Sequence, residues 1–394
     1  MSKLPKKERK NILYLSPSRC FYGAEKCLFE LIKYLDKEKF TSHVIADAGC
    51  NYRKEFTKIE VDFTELKFVI PTRIRNLLLM ARANWRLIRF VYIHKIDLVH
   101  INFEIKCDES LIVFFIFLKI MRIPWVYHLR SPTIFYAYKR LIMLNGKVIS
   151  VSESIRKQYL MKRRSDFITR PSIDKVVTIY DGKDLSAFLT DNNAENLKTE
   201  FNLKGEKIVG IVGALDARKR QDLFLLIAQE IKKQIHQVKF FIIGDLYTNS
   251  PKEIAYKERI MKITQELGLK DDVIFTGYRD DVNLFIRLMD VFVLTSKRDP
   301  FPGTIIEAMA SARTVVASAV DGVVEQVENG ETGFLINSDD PKEYADKIVL
   351  LLNDDKTRNE MAKKARKRAI ELYSIDRHVE NIEDFYDKLF KSKY

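Results

Sequence analysis

Short runs of β-branched and aromatic residues, each followed by a segment long enough for a helix, recur from one end of this chain to the other. NILYLS precedes AEKCLFELIKYL, DLVHIN precedes ESLIVFFIFLKI, WVYHLR follows, and KVISVS leads into SIRKQYL. Strands that are apolar almost throughout, with helices between them, predict a parallel sheet covered on both faces and joined by right-handed crossovers. After TIYDGKDLSAF the pattern lapses into the polar stretch LTDNNAENLKTEFNLKGE. It resumes with KIVGIVG, KFFIIGD, DVIFTG, VFVLTS, TVVASAV and GFLIN. Two doubly wound α/β domains in tandem are therefore expected, residues 1–184 and 185–375, with the linker between 184 and 205. Residues 376–394 form a helix pattern whose stripe, Val379, Ile382, Phe385 and Leu389, needs cover. It is expected to pack back towards the first domain.

At 394 residues the chain is too long for one ordinary core, which agrees with two domains. Its best membrane-like run, Leu111 to Ile120, contains Lys119 and is closely followed by Arg122, well short of the roughly 20 apolar residues a span needs. MSKLPKKERK is basic but leads into no apolar leader core. Cys20, Cys27, Cys50 and Cys107 show no C-x-x-C spacing, which suits reduced, small buried residues. A cytoplasmic protein is expected. The net charge of +13 is uneven: residues 1–184 hold 35 Lys and Arg against 19 Asp and Glu, and residues 185–394 hold 32 against 35. That asymmetry points to an anionic partner for the first half, a membrane surface, a lipid pyrophosphate or nucleic acid. TRIRNLLLMARANWRLIRFVYIHK sets Arg73, Arg75, Arg82, Arg86, Arg89 and Lys95 among Leu, Met, Trp85 and Phe90. This suits a basic amphipathic helix on the anionic inner face of a membrane, and equally a solvated helix face over a packed core. A nucleic-acid binder would want aromatic stacking platforms or a recognition motif, and neither is present, so no nucleic-acid partner is expected.

In open parallel sheets, ligands bind outside the carboxyl ends of the strands. There, KRDPFPG joins VFVLTS to a helix expected to start at Thr304, so that Asp299 and Glu307 flank a helix N-terminus. Unpaired N–H groups and about half a unit of positive charge at such an end suit a phosphate. Gly303 allows backbone to approach a ligand closely. Thr304 and Glu307 also fit the T-x-x-E capping box, which needs no ligand.

From Asp299 to Glu307, through EAMA to VDGVVEQVENGETGFLI, the chain resembles the signature of retaining glycosyltransferases of family 4 (glycosyl transferases group 1). That family has the GT-B fold, two Rossmann-like doubly wound parallel-sheet domains facing a cleft. Its Glu-x7-Glu pattern, Gly-rich loop and Thr-Gly pair are matched by Asp299, Glu307, Gly322, Glu325, Gly330 and Thr332-Gly333, with aspartate in the first glutamate position. The resemblance implies that Asp299 contacts the donor sugar, Glu307 the ribose, and the N–H groups around Gly303 and Thr304 the diphosphate, with Phe301 and Pro302 in the same donor loop. GIVGALDARKRQD resembles the family's Gly-Arg-Leu…Lys segment, with Gly213, Leu215 and Lys219 in register and Ala214 where arginine is usual. Lys219 would neutralise a phosphate, and Arg218 or Arg220 would make up for the missing arginine. FTGYRDDV is similar to the loop beside the base, which makes Tyr278 and Arg279 candidates. SPSRCFYGAEK keeps only Gly23 of a Gly-Gly pair, WVYHLR places His128 in the family's active-site histidine position, and IYDGKDL resembles its linker turn with Asp181 for asparagine.

The activity implied is transfer of a sugar, with retention, from a nucleotide diphosphate donor to a hydroxyl of a glycan or lipid-linked acceptor in surface polysaccharide or glycoconjugate synthesis. With no Asp-x-Asp and no His/Cys ligand cluster along the sequence, metal-independent chemistry without a cofactor is expected. A non-catalytic sugar-nucleotide binder is the alternative.

Overall fold

The structure, a computed structural model, describes residues 9–67, 77–102, 111–131, 146–161, 173–190, 194–248 and 250–391. Arg73, Arg75 and Cys107 lie outside them. The chain divides into two compact units, residues 1–182 with 375–394, and residues 183–374.

The first unit holds seven parallel strands: β1 (Lys10–Ser16), β2 (Phe40–Asp47), β3 (Asp62–Leu66), β4 (Leu98–Ile101), β5 (Trp125–Leu129), β6 (Lys147–Ser150) and β7 (Val176–Thr178). Their order in the sheet is β3-β2-β1-β4-β5-β6-β7. Central strands β4 and β5 are buried at every residue, as a sheet packed on both faces requires. The C-terminal helix Ile375–Lys391 belongs to this unit. Val379, Ile382, Phe385 and Leu389 join the core formed by Leu28, Leu31, Phe40 and Val44. Tyr386 packs edge-on against Phe40, with ring centroids 5.9 Å apart.

The second unit has six parallel strands: β8 (Lys207–Val212), β9 (Val238–Ile243), β10 (Val273–Gly277), β11 (Val291–Leu294), β12 (Thr314–Ser318) and β13 (Gly333–Ile336). They are ordered β10-β9-β8-β11-β12-β13. Both sheets are thus the doubly wound type, and the direction of winding reverses between β1 and β4 and between β8 and β11. A parallel sheet puts its ligand site in the crevice that opens at such a reversal. In the second unit the loops after β8 and β11 define that place.

Candidate active site

Lys219 and Asp299 are 80 residues apart in the chain, and the reversal point between β8 and β11 brings them together. The Lys219 Nζ lies 2.6 Å from the Asp299 Oδ2, and both side chains are nearly buried. Hydrogen bonds lace their two loops: the Thr295 hydroxyl donates to the carbonyls of Lys219 and Arg220 at 2.9 Å, and the Lys297 N–H to the Arg218 carbonyl at 2.8 Å. Ser296 Oγ donates to the same Asp299 oxygen at 3.1 Å. From below, Asp321 accepts from the Asp299 N–H at 3.0 Å and from Arg298 Nε at 2.7 Å. The Asp321 turn can come this close because Gly322 follows it: a Cβ there would sit 2.0 Å from the Pro300 carbonyl oxygen. Gly213 lies against the Lys219 stem.

The helix Gly303–Ala310 starts one residue earlier than the sequence suggested, with Pro302 as its N-cap and no side-chain capping bond. The T-x-x-E capping box is therefore not formed. Thr304 sits inside the first turn instead, and its buried hydroxyl has no hydrogen-bond partner among the described residues. Proline supplies no capping side chain; the Ile305 N–H bonds the Pro302 carbonyl at 3.3 Å, and the Gly303 and Thr304 N–H groups before it are left to solvent or a ligand. The Pro302 carbonyl is held by Gln326 Nε2 at 3.1 Å, and Phe301 packs edge-on against Tyr373. One turn along, Glu307 lies 3.4 Å from the Nζ of Lys183, a residue that the sequence did not mark as part of the site.

Other residues expected at the site have their charges engaged elsewhere. Arg220 adopts a left-handed conformation at the cap of the next helix, and its guanidinium pairs with Asp339. Arg279 is gripped by Glu200 at 2.9 Å and Asp281 at 2.8 Å, which accounts for its turn without a ligand. Tyr278 stands exposed after β10. Ala214, in the usual arginine position, is buried, and its carbonyl accepts from Gln221.

In the first unit, Gly23 opens the helix Gly23–Tyr34, with open space where a Cβ would project. Two residues on, Glu25 is buried, and burial pushes its carboxyl pKa up against the opposing charge of Arg130. His128 lies on β5 within a buried polar cluster. Arg130 pairs with Asp181, donates through Nε to Asn102 at 2.9 Å, and points Nη2 at His128 Nδ1 at 3.4 Å. His100 Nε2 is 3.2 Å from the same His128 nitrogen, and Tyr386 Oη is 2.5 Å from His100 Nδ1. Guanidinium N–H groups only donate, so His128 Nδ1 is the acceptor and the His128 proton sits on Nε2. His100 then donates through Nε2 and accepts from Tyr386 through Nδ1. The His128 Nε2–H faces Asp181 Oδ1 at 3.8 Å, and both atoms are buried without a hydrogen-bond partner among the described residues.

Burial first, and then the Arg130 charge, hold His128 well below the usual histidine range and take His100 down to about 3. An unfolded histidine takes up its proton near pH 6.5, whereas these do not, so stability is complete above that pH and is lost as pH falls towards 3. At pH 5 the loss should be about 2 kcal/mol for each such histidine. Unfolding free energies at pH 7.5 and 5 should differ less in His100→Gln than in the wild type. An equal difference in the two proteins would mean that His100 is not kept neutral.

The family model for glycosyl transferases group 1 matches residues 193–368, and that for glycosyltransferase family 4 matches residues 21–186. The capsular polysaccharide biosynthesis glycosyltransferase CapM of Staphylococcus aureus is 26% identical over 376 residues, 91% of this chain and 93% of that protein. An Escherichia coli UDP-Gal:alpha-D-GlcNAc-diphosphoundecaprenol alpha-1,3-galactosyltransferase is 25% identical over 384 residues, 94% and 95% of the two chains. Among solved structures, Anabaena Alr3699/HepE in complex with UDP is similar with a TM-score of 0.81 and 23% identity, covering 96% of this chain and 100% of that one. Two matched modules, two doubly wound sheets and the loop after β11 agree: the chain belongs to the family 4 (group 1) glycosyltransferases and has their GT-B fold.

Proposed function

We propose that this glycosyltransferase moves a sugar from a uridine diphosphate donor to a hydroxyl of a lipid-linked glycan, with retention and without a metal, in surface polysaccharide synthesis. The observation that carries the donor site is the Lys219–Asp299 pair in the loops that end at the uncapped helix start, where the buried Thr304 hydroxyl has no partner among the described residues. An ammonium carries three N–H groups, so Lys219 keeps two for phosphate oxygens while one holds Asp299. The helix N–H groups and the Thr304 hydroxyl supply further donors, and together they stabilise the charge that grows on the leaving diphosphate. Asp299 Oδ2 is shared by Lys219 and Ser296, which leaves Oδ1 for a sugar hydroxyl. Glu307, steadied by Lys183, takes the ribose hydroxyls. His128, fully buried and neutral with its Nε2 proton turned towards Asp181, is a positioning group and not a general base. The uridine assignment is supported by Alr3699/HepE, whose structures hold UDP and UDP-glucose, and by the UDP-Gal donor named for the Escherichia coli relative.

Thermal stabilisation by a panel of UDP- and GDP-sugars tests the donor, since a ligand at 100 times its Kd adds about 2.7 kcal/mol. The best UDP-sugar should raise the melting temperature, and transfer from it should give a product of unchanged anomeric configuration, at a rate that Mg²⁺ or Mn²⁺ changes less than about twofold. Stabilisation by GDP-sugars alone would overturn the nucleotide. Binding without transfer to any polyprenyl-diphosphate glycan would favour the non-catalytic binder.

The lipid-linked acceptor has separate support in the first unit. No helix among the described residues is long and apolar enough to cross a membrane. The helices Leu77–Ile93 and Ile112–Ile120, however, leave Leu78, Trp85, Tyr92, Ile120 and Met121 half to three-quarters exposed. Arg82, Arg86 and Arg89 are exposed on the first, and Lys119 and Arg122 on and just after the second. Aromatic and aliphatic groups interleaved with cations are the composition that seats a surface helix on anionic lipid. Replacing Arg82, Arg86 and Arg89 by alanine should weaken binding to phosphatidylglycerol vesicles about 10²-fold, at about 1 kcal/mol per basic residue. Binding that is indifferent to both salt and these substitutions would remove this surface from the account.

A further inference from the structure

The sequence shows no metal-ligand spacing, yet the fold brings His43, Asp62 and His94 together. Parallel pairing sets His43 on β2 directly beside Asp62, the first residue of the edge strand β3. His94 follows immediately on the helix Leu77–Ile93. Both imidazoles present Nδ1 to one carboxylate oxygen: His43 Nδ1 lies 2.8 Å and His94 Nδ1 3.6 Å from Asp62 Oδ2. The three ligand atoms all lie within 4.8 Å of one another.

We propose that His43, Asp62 and His94 form a zinc site that ties the edge of the first sheet to the end of the Leu77–Ile93 helix. Bonds of about 2.0–2.1 Å at tetrahedral angles put neighbouring ligand atoms about 3.3 Å apart, so the two measured separations from Asp62 bracket the requirement. The three parts differ in mobility in the way an entry path needs. His43 is 8% exposed and fixed, with its ring edge-on to Phe90 at 5.8 Å. Asp62 and His94 side chains are 43% and 32% exposed, so they can rotate by the few tenths of an ångström that closure requires and can admit the ion from solvent. His94 is also oriented, its ring stacked on that of Phe90, four residues earlier, with centroids 4.0 Å apart. Two imidazoles and one carboxylate suit zinc and its first-row neighbours and do not suit calcium or magnesium, which take all-oxygen shells. A fourth position remains for water. None of these residues belongs to the donor site, so the proposal stands apart from the functional reading.

The test is titration of the tag-free, metal-stripped full-length chain with zinc in competition with a chromophoric chelator, followed by cobalt as a spectroscopic probe. One equivalent should bind, and cobalt should show the intense visible bands of a four-coordinate site. His94→Ala, which removes a partly exposed side chain at a helix end, should keep the native circular dichroism spectrum and weaken zinc binding at least about 100-fold, since losing even an outer-shell partner costs 10–100-fold. Asp62→Asn should do the same. Sugar transfer by His94→Ala under metal-free conditions should equal that of the metal-stripped wild type. Zinc affinity equal in the wild type and His94→Ala, or no stoichiometric binding by the wild type, would overturn the site and leave an ordinary His43–Asp62 hydrogen bond.

Discussion

Lys219→Ala is expected to lower turnover of the nucleotide-sugar donor by about 10²–10³, the range found when one preorganised donor to developing negative charge is removed. Two consequences of the observed pairing separate this from a simple loss of binding. Lys219 is the cation that neutralises Asp299, whose carboxylate is 6% exposed and shares the loop where the diphosphate would lie. Removing the lysine alone therefore leaves a bare carboxylate against an anionic ligand, and KM should rise as kcat falls. In the double variant Lys219→Ala with Asp299→Asn, the repulsion is gone and KM should return towards the wild-type value, while kcat stays low. Steady-state kinetics on the two variants decides the matter. Unchanged turnover in Lys219→Ala would reject the phosphate role, and a KM that does not recover in the double variant would place Asp299 away from the donor.

Legibility along the chain follows where each strand lies in its sheet. All six strands of the second unit stood out in the sequence because each is a nearly unbroken apolar run, such as VFVL in β11 and TVVAS in β12. In the first unit, β2 was missed because Thr41, Ser42 and His43 follow its opening Phe40 and break the apolar run, and β3 because an edge strand, DFTEL, has only two apolar residues in five. At three residues, the other edge strand, β7, is too short to show a period. The loop after β11 was legible because proline, glycine and acids at a strand end are local signals. Its partners were not: Lys183 meets Glu307 across 124 positions, and Arg220 turns to Asp339 through a left-handed backbone that no spacing rule anticipates. Likewise, Arg130 stands two residues from His128 in plain view, but its pairing with Asp181 exists only once β5, β6 and β7 lie side by side.

That buried pair carries the second large prediction. Arg130 and Asp181 side chains are each 9% exposed, and the guanidinium also serves Asn102 Oδ1 and His128 Nδ1. Arg130→Met fills much of the same volume but strands a buried carboxylate and two acceptors, and should cost about 3–5 kcal/mol of stability. A domain stable by only about 5–15 kcal/mol would lose a large share of that. The exposed pair Arg377–Glu380 provides the contrast, since breaking it should cost at most about 1 kcal/mol. Both tryptophans, Trp85 and Trp125, lie in the first unit, so tryptophan fluorescence during urea unfolding reports on the part of the chain that holds the pair. Arg130→Met with Asp181→Leu should regain much of the loss, because neither charge is then left buried. If the single substitution costs no more than Arg377→Ala, water reaches the pair, and the burial that keeps His128 neutral cannot be as complete as the structure has it.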